Sequence, residues 1–444
     1  MILRRSQEVE FDRAELEGGE FEEADAEVEE AFLEGDVAYV PGSARAALSH
    51  RNFTIVWSGL TASNVGTWMQ NFTLAAYGWD LTHSAAYVGL LGFAQLGPIL
   101  LLSTFGGWLA DAFDRRRLIV WMQFGQLVGS LVLALLATAG HPSTVALFFC
   151  VLVIGVFNAL NAPAMIAVIP NLVPREDLQG AISLQSMQMN ASRVVGPALA
   201  GIIYAGPGAA TVFVVNAATY LFAVAGVVIA DFPSRVEGAP APEAGLRRLV
   251  SGFQIAWADR LVRRILAIVA TFSFFSLSFI YLMPTLASEN LGMKTKSVAY
   301  ALLFAAFALG AALGALSIGT VLVRRSKPRI VRVGLACFGV LLMAFALARS
   351  PSLAYPIAFA VGLSYFAVIT SLSTMLQAHL TDDIRGRVMA IWMMAFGGTV
   401  PVGVLAAGAV AEWTSITAVV LAGAAVALLL SIYANLRAVG APAS

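Results

Sequence analysis

The stretch GWLADAFDRRR, residues 107–117, places five charges within seven positions after a long run without any Lys, Arg, Asp or Glu. The chain around it has 444 residues, of which 59% are hydrophobic and 12% charged. Soluble domains carry about 25% charged residues. This composition indicates a membrane protein, and the charged stretch marks a point at which the chain leaves the bilayer.

Twelve apolar runs, each long enough to cross a bilayer as a helix, follow one another along the chain. About 20 apolar residues span the hydrocarbon core, and backbone inside lipid must hydrogen-bond within its own segment, which favours helices. The alternating pattern of a membrane barrel is not found. The runs cover residues 53–79, 85–110, 118–139, 144–169, 180–205, 209–230, 265–288, 298–323, 330–348, 353–378, 387–411 and 414–435.

The basic residues outside the first 48 positions collect at one side of this helix order. Nineteen Lys and Arg fall in loops at one face, three fall at the other, and one lies inside an apolar run. Basic loops stay in the cytoplasm, so both termini are predicted to be cytoplasmic. The predicted fold is an all-α polytopic membrane protein with twelve transmembrane helices in two six-helix bundles.

Five segments make up the predicted domain organisation. Residues 1–48 hold 14 of the 27 acidic residues and are predicted to be a disordered cytoplasmic tail. Bundles at 49–231 and 265–437 flank a cytoplasmic linker at 232–264, and 438–444 form a short C-terminal tail. The linker ends in a basic amphipathic stretch, which is either a helix on the inner membrane surface or a solvated connector.

The two predicted bundles share a sequence echo. EDLQGAI at 176–182 matches DDIRGRV at 382–388, with glycine in register 206 residues later, and each opens the fifth helix of its bundle. Because transporters are commonly built from structural repeats, the echo favours a duplicated, pseudo-symmetric fold.

One arginine lies deep in the predicted membrane. Arg193 follows the start of the fifth helix by about 16 residues, which is about 24 Å along a helix. Intramembrane charges are costly and are by default functional. Arg193 is therefore predicted to face a cavity and to attract an anionic substrate, although an arginine tied to neighbouring helices for structure is the alternative.

Polar and aromatic side chains at helical spacing extend this predicted cavity. Interhelical hydrogen bonds explain many such polar residues equally well, and aromatic stripes are also common in cores. The polar candidates, with one tryptophan, are Asn64, Thr67, Trp68, Asn71, Asn158, Asn161, Gln185, Gln188 and Ser192. The aromatic candidates are Phe272, Phe275, Phe279, Trp392 and Phe396, which would form a wall for amphipathic cargo.

The whole pattern resembles the major facilitator superfamily of transporters. The motif of that family reads roughly Gly-x-Leu-Ala-Asp-Arg-x-Gly-Arg-Arg/Lys after the second helix, and Gly107, Leu109, Ala110, Asp111, Arg115 and Arg116 fit it. SNVGTWMQNFTLAAY, NAPAMIAVIPNLVPREDLQGAISLQ and DDIRGRVMAIWMMAFGG further resemble the branch of transmembrane secretion effectors, which includes enterobactin exporters. That branch carries ADRFDRR at the motif, so Asp114 is one of its features.

The resemblance implies a conformational latch at the charged loop. Asp111 would accept hydrogen bonds from the N-terminus of the eleventh helix, where the helix dipole favours negative charge, while Arg115 holds it in place. Such a contact biases the two access states by about 1–2 kcal/mol. Topology alone would explain the arginines but not the aspartates. The implied latch comprises Gly107, Asp111, Asp114, Arg115 and Arg116, with the Arg387 region as partner.

Two further features bear on direction and energy source. GPALAG, with Gly196, Pro197 and Gly201, resembles the helix-bending motif of antiporters and favours export. Proton coupling is implied by the family, yet every Asp and Glu of the runs lies near a helix end. Asp80 and Glu289 are the predicted proton acceptors.

The predicted function is secondary active export of small amphipathic molecules, drug-like or siderophore-like, by alternating access with proton coupling. The expected partners are the small-molecule substrate, protons and the lipid bilayer of the cell membrane. No nucleic acid partner and no cofactor are expected. The protein is expected to be a monomer. An importer, an uncoupled facilitator and a transporter-like sensor are the alternatives. Transport driven by ATP within this chain is not expected, because no Gly-x-x-x-x-Gly-Lys loop occurs. An intramembrane enzyme is not expected, because the histidines offer no metal-ligand pair. These are His50, His83, His141 and His379, and the cysteines, Cys150 and Cys337, are isolated.

Overall fold

The computed structural model describes residues 39–139, 142–168, 171–231 and 245–436, and within these ranges every regular element is helical. The α-helices are α1 Ala44–Ser49, α2 Arg51–Thr82, α3 Ala85–Ala112, α4 Arg115–Thr138, α5 Thr144–Val168, α6 Leu178–Ala205, α7 Ala209–Ile229, α8 Gly245–Ala258, α9 Arg260–Thr271, α10 Met283–Leu291, α11 Val298–Gly319, α12 Lys327–Leu347, α13 Pro351–His379, α14 Asp382–Met393, α15 Thr399–Trp413 and α16 Ile416–Tyr433.

Short polar side chains start several of these helices. Ser84 accepts a hydrogen bond from the Tyr87 amide at 3.1 Å, and Asp114 accepts one from the Arg117 amide at 2.8 Å. Each cap satisfies a backbone donor that the first helical turn leaves unpaired. Ser297 and Ser415 cap α11 and α16 in the same way.

Ten helical segments within the described ranges are long and apolar enough to cross a membrane. The first and fifth predicted runs, in α2 and α6, are not among them, although both are helical over more than 25 residues. These two helices carry most of the polar candidates of the predicted cavity. Their hydropathy is lowered in part by polar side chains buried against other helices, such as Gln70, Gln188 and Ser192.

The seventh and eleventh predicted runs are not continuous α-helices, in contrast to the expectation. A π-turn at Phe272–Ser276 and a 3₁₀ turn at Ser278–Ile280 separate α9 from α10, which has Pro284 in its first turn. A second π-turn, Met394–Gly398, separates α14 from α15. The seventh segment also begins earlier than predicted, because Asp259 accepts hydrogen bonds from the Leu261 and Val262 amides and caps α9.

The helices pack as two units. In the first unit α2 packs on α6 and α7, α3 packs on α5, and α4 packs on α5 and α7. In the second unit α13 packs on α11 and α12, and α12 packs on α16. We call the end that carries the loops at 113–114, 320–326 and 380–381 the arginine-rich end, and the opposite end the far end.

A buried polar cluster ties the first unit together. Gln70 Oε1 accepts hydrogen bonds from Ser130 Oγ at 2.7 Å and from Asn216 Nδ2 at 2.8 Å. Since satisfied polar groups in a low-dielectric interior are geometrically specific, the cluster fixes α2, α4 and α7 against one another. The second unit has an aromatic core instead, in which Phe279 contacts Phe307 and Phe345 edge-on.

Residues 39–48, at the end of the predicted acidic tail, belong to the described structure, and α1 begins there at Ala44. Ala46 and Ala47 of α1 are buried, Gly42 N donates to Asp177 Oδ1 at 2.9 Å, and His50 Nε2 lies 2.7 Å from Asp177 Oδ2. The hydrogen bond from His50 and that from the Gly42 amide lower the pKa of Asp177. Apolar burial and these contacts fasten the segment beside α6, while residues 1–38 lie outside the described ranges.

The linker contains the predicted helix, α8, which packs on the start of the eleventh segment. A side chain at Gly252 would meet the Arg387 carbonyl at 2.9 Å, so the two backbones touch there. α8 also contacts α3. Its Phe253 and Trp257 are 50% and 72% exposed, which fits the amphipathic pattern of the sequence.

Candidate functional site

Arg193 lies between the two units in the middle of α6. Its guanidinium carbon is 5.4 Å from the Trp68 ring centroid on α2 and 5.0 Å from the Phe366 ring centroid on α13. Trp68 belongs to the first unit and Phe366 to the second. Tyr281 and Tyr365, also from the second unit, lie near the same guanidinium. The predicted intramembrane charge thus sits where the units meet.

The residues after Arg193 explain how α6 holds this position. A side chain at Gly196 would meet Trp68 Cβ at 2.6 Å, so glycine allows α2 to approach and sets the indole under the guanidinium. Pro197 has no amide hydrogen and cannot bond to the Arg193 carbonyl one turn earlier. α6 nevertheless runs through Pro197 to Ala205 as one helix.

The predicted polar candidates divide into two groups. Some are tied to neighbours: Thr67 Oγ1 lies 3.3 Å from Tyr220 Oη, and Asn71 accepts a hydrogen bond from Gln95. Others are buried with an oxygen that has no hydrogen-bond partner within the described ranges, namely Asn161, Gln188 and Ser192. Asn64, Asn158 and Gln185 are half-buried.

The residues of the predicted aromatic wall do not share one surface, because some are buried in the core and one is exposed. Phe272 is buried in the second unit against Phe338, with ring centroids 4.9 Å apart, whereas Phe275 is 48% exposed. Trp392 and Phe396 pair with centroids 6.3 Å apart. Phe279, as described above, lies in the core. Phe272 and Phe279 therefore support the fold rather than a cargo-facing surface.

At the far end, Asp80 joins the two units. Its Oδ2 accepts a hydrogen bond from Tyr204 Oη of α6 at 2.5 Å, and its Oδ1 accepts one from Thr295 Oγ1 in the loop before α11. Tyr204 and Thr295 are buried although Asp80 is exposed. A predicted proton acceptor is therefore also a contact between the units.

A second carboxylate joins the units at the same end. Glu412, in the last turn of α15, accepts hydrogen bonds through Oε1 from Ser84 Oγ at 2.6 Å and from the Ala86 amide at 3.1 Å. Ser84 and Ala86 start α3, where unpaired amides and the helix dipole favour a negative charge. Glu412 thus caps a helix of the other unit. Glu289 is exposed nearby and interacts electrostatically with Glu412.

Small residues bring the units together around these carboxylates. A side chain at Gly201 would overlap Ala301 Cβ at 1.8 Å, where α6 meets α11. A side chain at Gly408 would meet the Ala85 carbonyl at 2.5 Å, where α15 meets α3. Small residues permit such close helix pairs in membranes, and the far end is consequently closed.

The arginine-rich end holds the motif of the predicted latch. Asp114 caps α4, and Arg116 donates a hydrogen bond to the Val228 carbonyl of α7. Both contacts stay within the first unit. Gly107 and Asp111 lie in the last turns of α3, but their side chains are outside the described part of the structure. Arg387, in the expected partner region, lies in α14 beside α8.

Sequence comparison decides the family. The family described as transmembrane secretion effector matches residues 42–441 of the chain. The chain belongs to this family. Transmembrane secretion effectors are major facilitator transporters, which accords with the paired helical units and with the far-end contacts between them.

Named relatives and solved structures agree with this assignment. Enterobactin exporters EntS of Shigella boydii serotype 18 and of Escherichia coli O1:K1 are each 28% identical over 319 residues, covering 70% of this chain and 74% of theirs. A bacterial homologue of the human lysosomal transporter Spinster, inward-facing and unoccupied, has a TM-score of 0.64 at 16% identity, covering 86% of this chain and 95% of its own. The nucleoside transporter NupG has a TM-score of 0.67 at 11% identity, covering 86% and 98%.

Several site residues were missed by sequence reasoning in this secretion effector. The sequence gives no sign that Glu412 has a partner, because Ser84 lies 328 positions away. Phe366 and Tyr281, beside Arg193, carry no spacing signal that separates them from core aromatics. Thr295 also gave no signal. Charged residues are scarce at the far end of the helices. This scarcity is the signal that could have drawn attention to Glu412.

Proposed function

We propose that this chain is a secondary active exporter of small amphipathic molecules that works by alternating access between two six-helix halves. In this account all twelve segments cross the cell membrane and the arginine-rich end is cytoplasmic. The observation that carries the proposal is the far-end junction, in which Glu412 of one unit caps α3 of the other. The junction closes one side of the central arginine.

The contacts of the junction are reversible by their chemistry. Hydrogen bonds to an ionised carboxylate contribute about 1.5–3 kcal/mol each in favourable settings, and close helix packing adds dispersion. Neither involves a covalent tie between the units, and the apolar contact beside them, Phe72 stacked on Tyr300 with ring centroids 5.0 Å apart, is also non-covalent. Rocking of the halves would break the Glu412 and Asp80 contacts together, because both lie at the same end.

The opposite access state needs its own contact, and the motif at 107–117 is the candidate. Asp111 ends α3 at the arginine-rich end, and α14 begins there. When that end closes, Asp111 would cap α14 as Glu412 caps α3 in the present state. Arg115 and Arg116 would hold the loop, while Asp114 keeps α4 capped.

Export is supported by the relatives that are named enterobactin exporters and by the family description. Proton coupling is proposed for the far-end carboxylates. Protonation of Asp80 or Glu412 removes the negative charge that attracts Tyr204, Thr295 and the start of α3, and thereby favours opening. Glu289, exposed beside Glu412, would modulate the same step by charge repulsion.

Transport into everted membrane vesicles tests the proposal. Everted vesicles expose the cytoplasmic face, so an exporter driven by an acid interior should accumulate the neutral dye N-phenyl-1-naphthylamine and lose this accumulation when a protonophore is added. Vesicles with the Gly201→Val variant are the control, because that side chain cannot fit against Ala301.

Three other results would contradict parts of the proposal. Accumulation in right-side-out vesicles alone would indicate an importer. Equilibration that ignores the protonophore would indicate an uncoupled facilitator. Binding of the dye without any flux, in vesicles that contain the protein, would indicate a sensor.

A further inference from the structure

The Arg193 guanidinium is the only charge that the sequence places in the middle of a predicted membrane run. It lies between two aromatic rings, 5.4 Å from Trp68 and 5.0 Å from Phe366. A cation over an aromatic face is attracted to the ring electrons, more strongly when water is excluded. The rings therefore hold the arginine in place, but they do not neutralise it.

Across the described ranges, Arg193 takes part in no hydrogen bond or ion pair, and its Nε atom is buried without a partner. No acidic residue occurs near the middle of any run to act as a counter-ion. An uncompensated charge at this depth is expensive, whether it is measured against lipid or against the protein interior. The structure thus leaves the donors of Arg193 available to a ligand.

Other arginines of the chain show what a structural arginine does. Arg264 lies 4.4 Å from the Tyr433 ring and donates to the Tyr433 carbonyl through Nε at 3.0 Å. Arg263 lies 5.6 Å from the Trp257 ring and donates to the Trp257 carbonyl at 2.8 Å. Both combine ring contact with a satisfied donor. Arg193 has ring contacts but no hydrogen bond within the described ranges, and in this it differs from Arg263 and Arg264.

We propose that Arg193, Trp68 and Phe366 form a binding site for anionic aromatic cargo, of which aromatic carboxylates are the simplest class. The inference rests on the proposed function and names the substrate class of its central site. The planar guanidinium would hold the carboxylate with two parallel hydrogen bonds. The ring of the cargo would stack against Trp68 or Phe366.

The position of the site links this cargo to access. Trp68 and Arg193 belong to one unit, whereas Phe366 belongs to the other, so the site is complete only while both units face the centre. The half-buried or buried polar residues Gln188 and Ser192, on the same helix as Arg193, would solvate polar substituents of the cargo. A carboxylate supplies the counter-charge that the chain does not.

Binding of 2-naphthoate and of its neutral isostere 2-naphthamide tests the proposal directly. The full chain is placed in phosphatidylcholine nanodiscs, and tritiated ligand is measured by scintillation proximity with empty nanodiscs as background. We expect 2-naphthoate to bind about tenfold more tightly than 2-naphthamide or better, because only the anion forms charge-assisted hydrogen bonds. Phosphatidylglycerol added to the nanodiscs tests whether a lipid phosphate occupies the site instead. If it does, the anionic lipid competes with 2-naphthoate and the affinity for 2-naphthoate falls.

Substitutions assign the preference to the arginine. Arg193→Gln should abolish the preference for the anion and leave 2-naphthamide affinity nearly unchanged, whereas Arg193→Lys should retain part of it. Arg263→Gln is the matched control, because it removes a charge that also lies over an indole ring. We expect it to bind both ligands as the unaltered chain does.

Three outcomes would overturn the proposal. These are equal affinity of the unaltered chain for both ligands, no detectable binding of 2-naphthoate, and equal loss of both ligands in Arg193→Gln while Arg193→Lys binds normally. Dye transport by the same chain in everted membrane vesicles separates this test from that of the proposed function. Dye flux without anion preference contradicts only the cargo class, and anion binding without flux contradicts only transport.

Discussion

The far end and the arginine-rich end differ in what lies between α3 and the eleventh segment, which α14 and α15 make up. At the far end α3 and α15 touch, and Glu412 at the end of α15 caps the start of α3. At the arginine-rich end α8 contacts both α3 and α14, and a glycine lets α8 lie against Arg387. α3 and the antiparallel eleventh segment therefore touch directly at the far end, whereas α8 contacts both of them at the arginine-rich end.

The difference teaches how a two-state transporter can use one device twice. In an antiparallel pair, the C-terminal end of each helix lies beside the N-terminal end of the other. A carboxylate at each C-terminal end can cap the partner helix. Glu412 does so in the structure, and the resemblance to the major facilitator superfamily implies the same for Asp111. A rigid rocking motion would allow one cap at a time, so their balance would set the populations of the two states.

The largest effect on transport is expected at Gly201, where α6 packs closely on α11 at the far end. Gly201→Ala would place a methyl group against Ala301, and overpacking of this kind costs about 1–3 kcal/mol. We expect far-end closure to be lost and dye accumulation in everted vesicles to fall sharply. The double variant Gly201→Ala/Ala301→Gly moves the methyl group to the other helix and should restore transport.

Gly319→Ala is the matched control for this prediction, because an added side chain there meets nothing within 4 Å. It should transport as the unaltered chain does. Normal transport by Gly201→Ala alone, or failure of the double variant to recover, would show that α6 and α11 need not approach during the cycle.

The next effect concerns the observed cap. Glu412→Gln keeps the shape of the side chain and removes its charge, which should weaken far-end closure by about 1–2 kcal/mol. A cysteine introduced as Ser192→Cys beside the central arginine should then react about tenfold faster with a membrane-impermeant maleimide added from the far side. Glu289→Gln, which removes an exposed carboxylate at the same end, should change the rate little. Equal rates in all three chains would contradict a role for the cap.

A smaller effect is expected for the predicted cap at the other end. Asp111→Asn should stabilise the present state by about 1 kcal/mol, because it weakens the competing state. Transport should slow, and the double variant Asp111→Asn/Glu412→Gln should recover part of the rate, since both states lose a similar contact. A double variant slower than either single variant would show that the two carboxylates do not oppose each other.

The smallest effect is expected at the start of the chain. The pKa of Asp177 is lowered from 3.8, chiefly by the hydrogen bond from His50 and then by that from Gly42 N. A lowered folded-state pKa stabilises the protein above about pH 4, and this contribution is lost as the pH falls through the folded value. Asp177→Asn should therefore lower the melting temperature slightly at pH 7, and the difference should shrink as the pH falls below about 4. A difference that persists at low pH would contradict this origin.

Much of the fold could be predicted from the sequence, because bilayer crossings impose length and hydropathy on each segment. All twelve runs coincide with helical segments in the described ranges, and Arg193 stood out as a charge in an apolar run. The breaks of the seventh and eleventh segments could not be predicted, since π-turns leave no composition signal. Glu412 pairs with Ser84 only through tertiary structure, and Phe272 resembles a cavity residue until its core neighbour Phe338 is seen.

Distances between spin labels on the two halves test whether the Glu412 cap governs which end of the molecule is open. In a chain without native cysteines, one pair, Ala139→Cys with Ser352→Cys, reports on the far end, and another, Glu176→Cys with Thr320→Cys, reports on the arginine-rich end. Glu412→Gln should lengthen the far-end distance, as measured by double electron–electron resonance, and shorten the distance at the arginine-rich end. Distances that both stay unchanged, or that change in the same direction, would contradict alternating access governed by this cap.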